Sequence, residues 1–176
     1  AILGFHIIVG FIALVSGPVA AALRKKPKAH RISGAIYFYA MLAIFISAIV
    51  LSLIKTNYFL LLIAFFSFNF AWIGFRSIRI MKKGIENIDI LSANVSLIFN
   101  LLLLFFSVFM IFRQSYNLAI LSACFGIVGS LTSYFWKKKI KSQRNSFSWM
   151  VEHIRSMGGA YIATITAFSA TNMIFM

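Results

Sequence analysis

A chain of 176 residues would ordinarily make one soluble domain, but 61% hydrophobic against 11% charged residues, at a mean hydropathy of +0.93, leave too few polar groups to cover a water-facing surface. The formal charge of +14 suggests nucleic acid, yet the lysines and arginines lie in short loops between apolar runs rather than on one face, which argues against it. A single cysteine, Cys124, excludes an intramolecular disulfide and any multi-cysteine metal site.

The expected solvent is therefore lipid, and the chain divides into six apolar runs. The first, about residues 2–23, is long enough to cross a hydrocarbon core of about 30 Å as a helix. Gly10, Ala13, Gly17 and Ala20 or Ala21 recur along it at three- and four-residue spacing, a small-residue stripe that admits a neighbouring helix closely, and His6 belongs to that stripe. Pro18 removes a backbone donor and is expected to kink it. The chain begins at Ala1 without an initiator methionine or a basic stretch before this run, so preceding residues are expected.

A basic connection from Arg24 to Arg31 leads into a second run, 32–54, with Pro27 expected to stop the first helix before the second begins. Ala40, Ala43 and Ser47 give this run its own small stripe, while Tyr37 and Tyr39 sit near its basic end. After a turn at Lys55-Thr56-Asn57, a third run covers 58–75. Residues 76–90 then alternate basic and apolar groups, expected to extend the helix into the interface until Gly84 breaks it. The fourth run, 91–112, carries Asn94 and Asn100, and Asn69 lies in the third; all three are expected to act as interhelical hydrogen-bond donors and acceptors. The fifth run, 117–136, ends in a basic segment from Lys137 to Arg144, and the last occupies 147–176.

The predicted fold is thus all-α: a single integral membrane domain, a six-helix transmembrane bundle of three helical hairpins. The connections after the first, third and fifth runs, together with Arg155, hold 15 of the 17 basic residues, against Lys55 and Arg113 opposite. By the positive-inside rule that end faces the cytoplasm and both termini lie on the other side. Such loops also attract anionic lipid headgroups, so membrane lipids are expected partners.

The densest polar cluster at a membrane boundary is Glu152, His153 and Arg155, where charged groups are costly. On a helix His153, Ala160, Thr164, Ala167 and Thr171 share one face, and Glu152, Ser156, Gly159, Ala163 and Ala170 its neighbour. Glu152 and Arg155 are expected to pair with each other, or with Arg31 and Asp89. His30, at the inner end of the second helix, falls on the same side as His153, and His6 on the opposite side. Two imidazoles from different helices suit the axial positions of a b-type haem; alternatively they would be two ligands of a zinc or other metal site, with Glu152 as a third. No tight ligand motif, hydrolase constellation or phosphate loop accompanies them.

The segments Phe5-His6-Ile7-Ile8-Val9-Gly10, Lys28-Ala29-His30-Arg31-Ile32-Ser33-Gly34, and Trp149, His153-Ile154 and Met157-Gly158-Gly159-Ala160-Tyr161 with Asn172 resemble a bacterial group of predicted multi-pass membrane proteins, domain-of-unknown-function family 2306. The resemblance implies an integral protein of the bacterial inner membrane and carries no established reaction. Three functional readings follow. The protein is an accessory subunit packing its Phe-rich surface on a larger membrane complex; a redox or cofactor protein in which His30 and His153, with or without His6, bind haem or metal; or a proton-coupled carrier or pore in which Glu152 and His153 titrate.

Overall fold

The computed structural model describes residues 1–142 and 146–173. Within them the chain is helical almost throughout: α1 (Ile2–Ala22), a 3-10 turn (Leu23–Lys25), α2 (Pro27–Ile54), α3 (Tyr58–Lys83), α4 (Asn87–Phe112), α5 (Tyr116–Lys141) and α6 (Ser146–Met173). Arg144 lies outside the described residues, as do the side chains of Ala167, Ala170, Thr171 and Asn172.

The connections are shorter than the basic runs suggest, because lysines and arginines sit on helical ends as readily as in loops. Pro27 does not separate the helices by a stretch of coil; it starts α2 at the first helical position, where its missing N–H would go unused anyway and its fixed φ suits the helix. At the end of α3, Gly84 adopts φ +83°, a conformation L side chains rarely hold, and the helix stops there. Asn57 caps α3 by accepting from the Leu60 N–H at 3.2 Å. Glu86 and Asp89 form a reciprocal capping box at the start of α4.

α3 is the central element. It packs on α2, α4, α5 and α6, and it carries buried residues on all sides, from Leu62 through Asn69, Ile73 and Arg76 to Ile80. The α1–α2 and α4–α5 hairpins flank it, and α6 lies against α3 and touches α1. Stacked rings fasten α2 and α4 to α3, with centroids 4.0 Å apart for Phe38 and Phe75, 4.6 Å for Phe45 and Phe68, and 3.5 Å for Phe65 and Phe99.

Outward-facing positions are strongly apolar: Phe11 is 66% exposed, Phe105 72% and Phe112 81%. Water would penalise such a surface, whereas lipid does not. Among the described residues, α1 to α5 are each long and apolar enough to cross a membrane. α6 is as long as α2 but does not reach that mark. Its buried side mixes Trp149 and Met157 with the polar or small Glu152, Ser156 and Ala160, so part of its surface is shaped for protein instead of lipid.

Pro18 leaves an unusual trace. α1 runs through it to Ala22, but the Leu14 carbonyl loses the N–H it would have accepted. The hydroxyl of Tyr161 on α6 donates to that oxygen at 3.3 Å. Gly17 makes this approach possible, since a Cβ there would stand 2.8 Å from the Tyr161 ring.

Candidate functional site

The alternating helices bring the basic residues to one end of the bundle, and His30 and His153 meet there. Their ring centres are 6.2 Å apart and their planes 81° from parallel. His30 sits in the first turn of α2, where its Nδ1 lies 2.8 Å from the Ala20 carbonyl. That oxygen belongs to the last turn of α1, where carbonyls run out of intrahelical donors, so the imidazole caps the helix. His153 Nδ1 lies 2.7 Å from the Gly74 carbonyl of α3. Gly74 lets α6 come this close, because a Cβ would stand 2.8 Å from Met157 Cγ.

These contacts fix the tautomers. A carbonyl oxygen only accepts, so Nδ1 carries the proton in both rings and each neutral imidazole keeps its lone pair on Nε2. Anchoring one nitrogen on a main-chain carbonyl and freeing the other is how proteins orient histidines that ligate metals. Both side chains are half-buried, and neither Nε2 has a hydrogen-bond partner among the described residues.

His6 is far from this pair. Its Nδ1 lies 2.8 Å from Ser47 Oγ, whose own proton goes to the Ala43 and Ile44 carbonyls at 2.8 and 3.0 Å, making His6 the donor. Along α2 that level is roughly 25 Å from His30 at 1.5 Å per residue. His6 therefore tethers α1 to α2 at the opposite end of the hairpin.

Glu152 is buried, and its carboxylate is fully engaged. Oε2 accepts from Lys139 Nζ at 2.8 Å; Oε1 accepts from Arg155 Nη2 and from Ser156 Oγ, both at 3.2 Å. Lys139 also donates to the Ser148 carbonyl at 2.7 Å and lies 5.4 Å from the centre of the Trp149 ring. The expected Glu152–Arg155 pair thus forms, with Lys139 as an additional partner that the basic run concealed. Glu152 does not join the imidazoles as a third ligand, and no group of three His, Cys, Asp or Glu suited to a metal ion occurs among the described residues.

Of the two pairings open to Glu152 and Arg155, the one with each other forms, and Asp89 and Arg31 stay outside the cluster. Arg31 is exposed on α2 and makes no ion pair among the described residues. Asp89, 0% exposed, instead receives Arg76 Nε at 2.5 Å and Nη2 at 2.8 Å, while Glu86 takes a further 2.8 Å bond from Nη2. Gly84 folds α4 back on α3, so a carboxylate thirteen residues along returns to the arginine. Arg76, 2% exposed, was hidden among the other basic residues of that segment; the acids spaced beyond a helix-breaking glycine were the available signal.

Asn69 and Asn100 do link helices. Both donate to Ser133 Oγ on α5, at 3.3 and 3.2 Å, and Ser96 Oγ donates to Asn69 Oδ1 at 2.7 Å. Asn94 makes no hydrogen bond among the described residues.

Five membrane-length apolar helices, a lipid-like exterior and charged groups gathered at one end define a polytopic helical membrane protein. A family described as predicted membrane protein, domain of unknown function 2306, matches residues 3–90, half of the chain, and the protein belongs to it. The match covers His6, His30 and the Arg76–Asp89 pair but stops before α6, so it does not extend to the His153 motifs that carried part of the resemblance. No curated protein and no solved structure matches the chain.

Proposed function

We propose that His30 and His153 form a two-imidazole ligand site for a transition-metal centre at the basic end of the bundle, making this a metal-dependent, redox-type membrane protein. The observation that carries the reading is the pair of Nδ1–carbonyl bonds, which leaves Nε2 unprotonated on both of two rings whose centres are 6.2 Å apart. With metal–nitrogen bonds of about 2.0–2.1 Å, an ion held between two facing imidazoles separates their ring centres by roughly 6 Å. Imidazole donors suit zinc, copper, iron and nickel.

Packing one and two turns deeper is close, with Met157 on Gly74 and Tyr161 on Gly17, which favours a bare ion over the broad plane of a haem. Two protein ligands leave the remaining positions to water, a small solute or a partner subunit, and there the accessory-subunit reading joins this one. The charge asymmetry supports placing this end on the cytoplasmic side of a bacterial inner membrane. Glu152, held by three donors, fits an interhelical lock better than a titrating group in a carrier.

The test is elemental analysis and an absorption spectrum of protein purified after growth or loading with iron, copper or zinc. The wild type is expected to retain stoichiometric metal, His30→Ala and His153→Ala to lose it, and His6→Ala to keep it. A wild type that takes up no metal and shows no haem bands, or equal retention in His153→Ala, overturns the proposal.

A further inference from the structure

All three acidic side chains of the protein have their partners, and none of those partners lies on the α1–α2 connection: Glu86 and Asp89 hold Arg76, while Glu152 holds Lys139 and Arg155. Arg24, Lys25, Lys26, Lys28 and Arg31 are all exposed within one short hairpin bend and have no carboxylate of their own chain to face. Their counter-charge must come from outside.

Beside this bend the hairpin opens an outward-facing groove of about 550 Å³ between α1 and α2, with an almost wholly apolar wall. That volume falls within the range of small-molecule sites. Val9 and Ala40 are among its buried lining, while Ile32, Ile36 and Tyr39 stand exposed along it. Along α2 the groove follows Ile32, Ala35, Tyr39 and Ala43 at three- and four-residue spacing, and the same stripe continued one turn toward the bend arrives at Lys28. One line on the helix surface thus runs from an uncompensated ammonium into an apolar trough reaching roughly 16 Å along the helix.

We propose that the α1–α2 groove is a binding site for an anionic phospholipid, with an acyl chain along Ile32–Ala43 and the headgroup phosphate at Lys28, supported by Arg31. Amphiphile and site match at both ends. An apolar chain removes Ile36 and Tyr39 from contact with mobile lipid, and the phosphate supplies the charge that the hairpin lacks. A zwitterionic lipid fills the same trough but brings its own cation to the bend, so the site discriminates by headgroup.

Native mass spectrometry of the full chain, released from detergent containing equimolar phosphatidylglycerol and phosphatidylcholine with identical acyl chains, tests this. The wild type is expected to retain phosphatidylglycerol about tenfold over phosphatidylcholine, with Lys28→Gln reducing that ratio about fivefold and Arg31→Gln about twofold. Ala35→Phe, at the exposed lip of the groove, is expected to lower retention of both lipids with the cations intact. Lys82→Gln with Lys83→Gln, in the last turn of α3, serves as control and leaves the ratio unchanged. Equal retention of the two lipids by the wild type, wild-type retention in Ala35→Phe, or a control as damaging as Lys28→Gln each overturns the proposal.

Discussion

The two halves of the basic end differ in where their carboxylates lie, although both carry exposed cations, Lys82, Lys83, Lys138 and Lys141 on one side and the five of the α1–α2 bend on the other. Around α3, α4, α5 and α6 the carboxylates are closed into networks, buried Asp89 and exposed Glu86 with Arg76, and buried Glu152 with Lys139 and Arg155. The α1–α2 hairpin has five exposed cations and no acid, and neutral hydrogen bonds hold it: His30 to Ala20, His6 to Ser47, and Tyr161 to Leu14. Charges that fix helix positions are satisfied internally, and charges left open are available to something outside the chain. The paired imidazoles stand at the seam, His30 from the open half and His153 from the closed one.

The sharpest way to break this contrast is Asp89→Ala, which leaves a guanidinium 2% exposed at the α3–α4 junction with only the half-exposed Glu86 to face. A loss of about 3–5 kcal/mol is expected, read as a fall in thermal midpoint in detergent. Replacing Arg76 and Asp89 together by Met and Leu should recover most of it, because a well-packed apolar pair can substitute for a buried ion pair. Glu152→Gln should cost less, about 1.5–3 kcal/mol, since Lys139 keeps the Ser148 carbonyl. Lys25→Gln with Lys26→Gln should leave the midpoint within about 0.5 kcal/mol of the wild type. A large destabilisation there would show that the open half is closed after all.

The coarse architecture was readable because membrane-length apolar runs and loop charge are both sequence-local. So was the side of the membrane end on which each histidine falls, which follows from alternation alone. Helix ends were less legible. Pro27 acts as a helix starter and not a spacer, whereas the extension of α3 through Lys82 and Lys83 to the break at Gly84 was legible from the alternation of basic and apolar residues. The partner of Asp89 was left open because it depends on how Gly84 turns α4 back onto α3. Arg76 looked like one more orienting cation until its depth was known. Glu152 was singled out for chemistry on the cost of burying a charge, and that cost is met by Lys139, which the sequence hid in a run of three lysines. Nothing in a linear reading disclosed the tautomers of His30 and His153, which depend on carbonyls contributed by two other helices.

The hydrogen bond from Tyr161 to the carbonyl that Pro18 leaves free has a consequence for the order of synthesis. The α1–α2 and α4–α5 hairpins join neighbours in sequence and can assemble as they emerge, N-terminal first. The contacts of α6 with α1 and α3 cannot form until the last helix arrives. Until then Leu14 and Gly74 lack their partners, and His30 faces no second imidazole. The imidazole pair is therefore completed only when the first helix is clasped by the last, so a truncated or stalled chain carries one imidazole of the two.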